Sequence, residues 1–375
     1  MYFKEQRYEK TKTQTLNSSY TRQLPDTGIL SQIDIRFYVT NASSVINGAP
    51  MNIHHHITKI EVIGNNDKTL ISMTGEEALA KAYRKLGRLP HSSRTEIGNA
   101  AQRQSIPILF GRKLWDKDYA LDLSQWDKVE LIITNDMSST YWSGLTADIQ
   151  LMMIEEIGAA PPRFLKQWEY DKTKPAYDTD YLRVKLPTSG LLRSLMIQLD
   201  PDLTASTAAP VNSPDSDSYN WKLYFKDRAL AVIDARPKDL YFRDYERFGL
   251  GRDVVKPYSS TTQYTDYIWA YVIGRAIAPI ENSTLVVPNS LESSNNRYHV
   301  FKAVGSDIQD DVITVGCAPF HTFEIPFYVP EDVEANYLDL AAYQPIEIEW
   351  YGYKDDNTHR MVLEKPIGQG EAGFA

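Results

Sequence analysis

The feature that most restricts what this chain can fold into is that its sequence is written twice. Leu24-Pro25-Asp26-Thr27-Gly28-Ile29-Leu30 returns as Leu186-Pro187-Thr188-Ser189-Gly190-Leu191-Leu192, an offset of 190 − 28 = 162. Asp67-Lys68-Thr69-Leu70 returns as Asp227-Arg228-Ala229-Leu230 at 160. Tyr83-Arg84-Lys85-Leu86-Gly87 returns as Tyr245-Glu246-Arg247-Phe248-Gly249 at 162. Further on, Ile106-Pro107 matches Ile325-Pro326 at 219. Leu121 with Leu338 and Val129-Glu130-Leu131 with Ile346-Glu347-Ile348 then follow at 217. Matches kept in order, with one stepwise change of offset, are what a doubled segment followed by one insertion leaves behind. Turn grammar shared by all-β chains is the competing explanation. The rise from 162 to 219 places 57 extra residues between Gly249 and Ile325.

Each copy reads as strands. Ile33-Asp34-Ile35-Arg36-Phe37-Tyr38-Val39 alternates with a period of two, as a half-buried strand must. Ile57 to Ile63 and Leu70 to Met73 flank the turn sequence Gly64-Asn65-Asn66-Asp67. Val129 to Thr134 and Ile149 to Ile154 are two more apolar runs of strand length. Two stretches read as helices. Gly75 to Gly87 has acids in its first turn, bases in its last and a terminal glycine, matching the helix dipole and a left-handed stop. Pro237 to Phe248 opens on proline and is closed by Gly249. The predicted fold is all-β: two tandem eight-stranded jelly rolls, each with one short helix, the second with a larger insertion. The expected boundaries are an N-terminal arm at 1–23, the first jelly roll at 24–160 and a linker at 161–183. The second jelly roll follows at 184–365 with its insertion at about 250–324, and a C-terminal tail at 366–375.

Composition excludes several functions. The 375 residues carry 40 Lys plus Arg against 49 Asp plus Glu, a net charge of −9. Nucleic-acid binding needs a basic footprint, so specific nucleic-acid binding is not expected. One cysteine, Cys317, rules out a disulfide framework within the chain. No apolar run approaches the roughly 20 residues that span a bilayer, and Met1 to Lys12 has no apolar signal core. These features predict a soluble chain made in a reducing cytoplasm.

The motifs and their order resemble a known family. LPxxGxL leading into a long strand, a helix ending Tyr-x-x-x-Gly after the hairpin, and a larger insertion in the second copy are similar to the double jelly-roll viral major capsid proteins. That lineage spans tectivirus-like phages, archaeal icosahedral viruses and the adenovirus hexon. The resemblance covers Leu24 to Lys365 and is architectural. It implies a structural protein that self-assembles as a homotrimeric, pseudo-hexagonal capsomer into an icosahedral shell, not an enzyme and with no cofactor. The implied partners are neighbouring capsomers, penton and minor capsid proteins and an internal lipid membrane. The implied place is the virion capsid, with synthesis and assembly in the host cytoplasm, and the insertion forms an outward tower. The arm residues Tyr2, Phe3, Lys4, Arg7 and Tyr8 are the expected membrane or shell contacts, the alternative being an ordinary terminus.

The competing class is a two-domain cupin-like or carbohydrate-active jelly-roll enzyme. Its best support is Gly48 followed by His54-His55-His56 and Glu61, which fits the first metal-binding motif of cupins. Strand alternation would put His54 and His56 on one face, as two imidazoles on one metal require. Glu61 falls on the opposite face by parity, the second cupin motif is missing, and the second copy has no such pair at Tyr219 to Phe225. The expected metal set is therefore none, with His54, His56 and Glu61 as the alternative. Glu76-Glu77 and Glu155-Glu156 are acid pairs whose facing distance sequence does not give. Gly249-Leu250-Gly251 follows a helix, so a phosphate loop is not expected. Cys317 with His321 reads as a structural thiol before a nucleophile. Trp168, Tyr170, Tyr177 and Tyr181 read as the seal of an inter-domain or intersubunit contact.

Overall fold

A computed structural model of the chain describes residues 2–42, 52–95, 98–155, 160–173, 182–200, 220–249, 251–256, 266–269, 273–277, 285–288, 297–301, 312–317, 320, 322–351 and 358–370. The first copy begins with β1 (Tyr2–Gln14), β2 (Ser18–Gln23), β3 (Ile29–Asn41), β4 (Ile57–Gly64) and β5 (Lys68–Met73). Helix α1 (Gly75–Leu86) precedes β6 (Ser92–Thr95), β7 (Ala101–Leu109), β8 (Leu121–Asp122), β9 (Val129–Asn135) and β10 (Trp142–Glu155). The second copy begins with β11 (Arg163–Thr173), β12 (Leu182–Lys185), β13 (Leu191–Leu192), β14 (Ser194–Asp200), β15 (Asn220–Phe225) and β16 (Leu230–Ala235). Helix α2 (Pro237–Phe248) is followed by β17 (Gly251–Lys256), β18 (Asp266–Trp269), β19 (Ile273–Ile277), β20 (Leu285–Pro288), β21 (Arg297–Phe301) and β22 (Val312–Cys317). The chain closes through β23 (Thr322–Pro326), β24 (Leu338–Asp339), β25 (Glu347–Tyr351) and β26 (Thr358–Gly368).

Strand order gives a sandwich in each half. In the first, β1-β10-β3-β7 faces β2-β9-β4-β5; in the second, β11-β26-β14-β23 faces β12-β25-β15-β16. These are the two four-stranded sheets of a jelly roll, made twice. Alternation along β3 sends Ile33, Ile35, Phe37 and Val39 into a core shared with Ile60, Val62, Leu131 and Ile133. Each such side chain contributes about 1.5–3 kcal/mol by leaving water. The second core gathers Leu195, Ile197, Trp221, Leu223, Phe323, Ile348 and Trp350. Helix α1 starts as its sequence requires: Thr74 and Glu77 form a reciprocal capping box, and Gly87 stops the helix at φ 68°.

The duplication holds bond by bond. Leu24 N donates to Val129 O at 2.8 Å, and Leu186 N to Ile346 O at 3.0 Å. Leu123 N reaches Gly28 O at 2.9 Å, and Leu340 N reaches Gly190 O at 3.0 Å. In each case one partner moves by 162 positions and the other by 217. Gly28 and Gly190 both take positive φ, 121° and 87°, a conformation that favours glycine at this turn. Even a β-bulge repeats, between Val62 and Ile63 and between Leu223 and Tyr224. One match shifts, however. Ile33 pairs with Ile108 and Leu195 with Ile325, so Ile325 answers Ile108, not Ile106. The Ile-Pro similarity was two residues out of register, and the second copy's extra length is 217 − 162 = 55 residues.

Two expected boundaries are corrected. The arm at 1–23 is β1 and β2: β1 pairs with β10 from Tyr2↔Glu155 to Gln14↔Leu145, and β2 with β9 from Ser18↔Asn135 to Gln23↔Glu130. The linker at 161–183 holds β11, paired with β26, and leads into β12, paired with β25. These segments are one element met twice, since Gln23↔Glu130 recurs as Lys185↔Glu347 at 162 and 217. Both supply the first two strands of a jelly roll, so the barrels begin at Tyr2 and Arg163. The last strand also runs on into the expected tail, ending at Gly368.

The barrels share sheets. β11 lies parallel to β5 through Gln167↔Ile71 and Trp168↔Ser72, and β17 lies parallel to β6 through Val255↔Arg94 and Lys256↔Thr95. Within the expected insertion, β17 belongs to the barrel, following α2 as β6 follows α1. β18, β21 and β20 form a separate three-stranded sheet.

Candidate functional site

The residues that join the barrels start from α1. Its last two turns carry Lys81, Arg84 and Lys85, all with buried side chains, directed at the second barrel. Lys81 Nζ lies 2.8 Å from Glu324 and 3.1 Å from Glu364, and Lys85 Nζ lies 3.0 Å from Glu364. Arg84 reaches Asp244 on α2 at 2.6 Å, the Thr322 hydroxyl at 2.9 Å and the Thr322 carbonyl at 2.9 Å. Arg193 bridges Glu364 at 3.0 Å and Asp332 at 2.6 Å. Four cations therefore meet four carboxylates. Tyr83 completes the joint by donating its hydroxyl to Gly249 O at 2.6 Å.

Burial penalises the charges of Glu364, Glu324, Asp244, Lys85, Arg84 and Arg193, and their neighbours decide the outcome. Glu364 is held far below the carboxylate range because Lys85, Lys81 and Arg193 outweigh its burial. Burial is likewise outweighed at Glu324, which Lys81 and Arg84 hold down. Burial lowers Lys85 to about 8 despite Glu364. At Asp244 burial wins and the carboxyl is raised, although Arg84 opposes it. Such a network adds little net stability over a well-packed apolar joint, while removal of one member costs about 3–5 kcal/mol. Its pairs link Lys81, Arg84 and Lys85 of the first barrel to Glu324, Glu364 and Asp244 of the second.

The histidine set is not assembled as a site. Ile53–His56 forms a short 3-10 turn, in which residues two apart point about 240° around the axis, so the expected strand alternation fails. His54 is buried edge-on to Phe320 at 4.9 Å, and burial lowers it to about 3. His55 bonds Glu76 at 3.0 Å, His56 bonds Asp136 at 2.8 Å, and Glu61 pairs with Lys59 at 3.1 Å. Among the described residues no group of three His, Cys, Asp or Glu side chains could hold a metal ion. The acid pair splits as well. Burial opposes ionisation of Glu76, but His55 and Gln198 hold it at about 2, whereas burial raises Glu77, the capping residue, to about 7.

The expected arm contacts lie along β1. Tyr2 and Phe3 are 52% and 47% exposed, with Phe3 stacked on Trp115 at 4.6 Å. Lys4 pairs with Glu155 at 3.6 Å, Arg7 with Asp148 at 2.5 Å, and Tyr8 donates to Gln23 O at 2.9 Å. Trp168 packs against the second core under Lys166 at 4.8 Å and Lys365 at 5.9 Å. Tyr177, Tyr181, Glu156, His321 and the Cys317 side chain lie outside what is described. Sequence reasoning missed the ionic joint. A signal was present in Glu364, a lone acid ending the apolar run Met361-Val362-Leu363.

No protein-family model matches the sequence, and no curated protein matches it. Solved structures do match. The STIV MCP superposes with a TM-score of 0.62 at 9% identity, over 98% of this chain and 97% of that one. The major capsid protein P2 from Bacteriophage PM2 does so at 0.53 and 11%, over 100% of both chains. PBCV-1 VP54 gives 0.57 and 9%, over 100% of this chain and 97% of its own. The chain has the double jelly-roll fold. At these identities the likeness is one of fold, and it covers at least 97% of each chain in all three comparisons.

Proposed function

We propose that this chain is a viral major capsid protein that self-associates as a trimer, with six jelly rolls forming a near-hexagonal capsomer of an icosahedral shell. The observation that carries this reading is the end-to-end likeness to proteins named as capsid components, together with a buried ionic joint that holds two barrels as one block. Three such blocks, related by a threefold axis, contact each other through heterologous interfaces that close. Work of this kind is assembly, and it calls for no catalytic residue or cofactor.

The finer parts follow from the same reading. The three-stranded sheet β18-β21-β20 would belong to an outward tower. Neighbouring capsomers, penton and minor capsid proteins are the proposed partners, and the virion capsid, assembled in the host cytoplasm, the proposed place. Tyr2 and Phe3, exposed at the start of β1 beside Lys4, Arg7 and Tyr8, are the proposed contact with an underlying lipid membrane or shell. Native mass of the purified protein tests the proposal. Three times the 42.8 kDa chain, with shells or sheets under the electron microscope, is expected, also for the His54→Ala/His56→Ala variant. A stable monomer that binds one metal ion, lost in that variant, would overturn it.

A further inference from the structure

The contacts that join the barrels inside the chain have counterparts that stand exposed among the described residues. Tyr83, at the end of α1, donates to the carbonyl of Gly249, the residue that stops α2. The reciprocal pair, 162 positions across, is Tyr245 and Gly87. Tyr245 is 44% exposed, and Gly87 is exposed where Gly249 is half-buried.

The strands tell the same story. β5, the last strand of its four in the first barrel, is covered by β11. Its counterpart β16 ends a sheet, with Leu230 50% and Val232 43% exposed. An apolar edge of this kind pairs indiscriminately unless something covers it. The counterpart of β11 is β1, which ends the other sheet of the first barrel.

The helices agree. α1 lies over the second barrel, with Arg84 on Met196 and Thr322 and Glu76 on Gln198. The counterparts of Met196, Gln198 and Thr322 are Asp34, Arg36 and Ser105. These three line an open cleft of about 330 Å³ together with Tyr38 and Arg103. Where α1 carries Lys81, Arg84 and Lys85, α2 carries Arg243, Glu246 and Arg247, all exposed. Asp34 is buried and paired with Arg36 at 2.7 Å, so the charges the cleft shows to solvent are Arg36 and Arg103, and Glu246 is the complementary one on α2.

We infer that the interface between subunits repeats the joint within the chain. Tyr245 of one copy donates to Gly87 O of a second copy, α2 lies over the cleft of Asp34, Arg36 and Ser105, and β1 of the second copy runs beside β16. This rests on the trimeric reading above and names its contacts. One joint within each chain and one between chains close a ring of six barrels with three chains.

The test places the photo-reactive residue benzoylphenylalanine at the exposed position 245 of the full chain and illuminates the native assembly. Links between chains, carried by peptides that contain Gly87 or residues 32–38, are expected. A trimer whose probe attaches elsewhere overturns the inference and leaves the capsomer reading standing; a monomer overturns both. Tyr245→Phe is expected to weaken each interface roughly two- to tenfold, as loss of one hydrogen bond does, with the unfolding midpoint of the dissociated chain unchanged. Unchanged trimer affinity would remove the hydrogen bond from the account.

Discussion

The two barrels have one pairing scheme and opposite surroundings, and the contrast is sharpest in their helices. α1 is closed in by the second barrel, and its Lys81, Arg84 and Lys85 are buried among carboxylates. α2, at the same place in the second copy, presents Arg243, Glu246 and Arg247 to solvent. The same contrast separates β5, covered by β11, from β16, which ends its sheet. Nothing in the helix or strand itself decides which is buried; the neighbour does. A doubled segment thus produces one completed joint and one set of surfaces matched to complete another.

The comparison breaks most visibly at Arg84. Arg84→Met leaves Asp244 and Glu324 buried without their guanidinium, and a loss of about 3–5 kcal/mol is expected in urea unfolding. Its counterpart Glu246→Met, measured where chains are dissociated, should change stability by less than about 0.5 kcal/mol. Similar losses for both would mean that the two helices are equally enclosed.

Acid should find the first barrel through His54, which faces Glu76, His55 and Arg94. Burial lowers its folded value to about 3 from the ordinary 6.5, so below pH 6.5 the unfolded chain takes up a proton that the folded chain refuses. Stability contributed by the neutral imidazole is complete above pH 6.5 and drains away as pH falls toward 3, by up to a few kcal/mol. His54→Gln should flatten that part of the stability profile, and an unchanged slope would put the acid response elsewhere.

The smallest expected difference is at the helix starts. Thr74→Ala removes the capping box of α1 and should cost about 1 kcal/mol. Arg236, which stands at the same place before α2, forms no side-chain cap hydrogen bond, and Arg236→Ala should cost only a few tenths of a kcal/mol by thermal melting.

Sequence showed those parts of the fold whose physics leaves a local mark. Gly28 and Gly190 need positive φ, β3 alternates because one face is buried, and Gly87 stops a helix with an acidic first turn, so each could be read from a few residues. β1 could not: all of it but Gln14 is exposed or half-exposed, on both faces, and it bends at two register shifts, which erases the period of two. The ionic joint was hidden because bases in the last turn of α1 look like ordinary dipole partners. Their burial depends on a barrel that begins nearly 80 residues later, at Arg163. The histidines misled because three in a row suggested a strand where the chain makes a 3-10 turn.

Averaged projection images of the purified native assembly, viewed down its symmetry axis, test the central claim most directly. Six barrel-sized densities at near-equal spacing, with the contact inside each chain matching the contact between chains, are the predicted result. Three separated pairs touching through some other face, or single two-barrel particles, would contradict it.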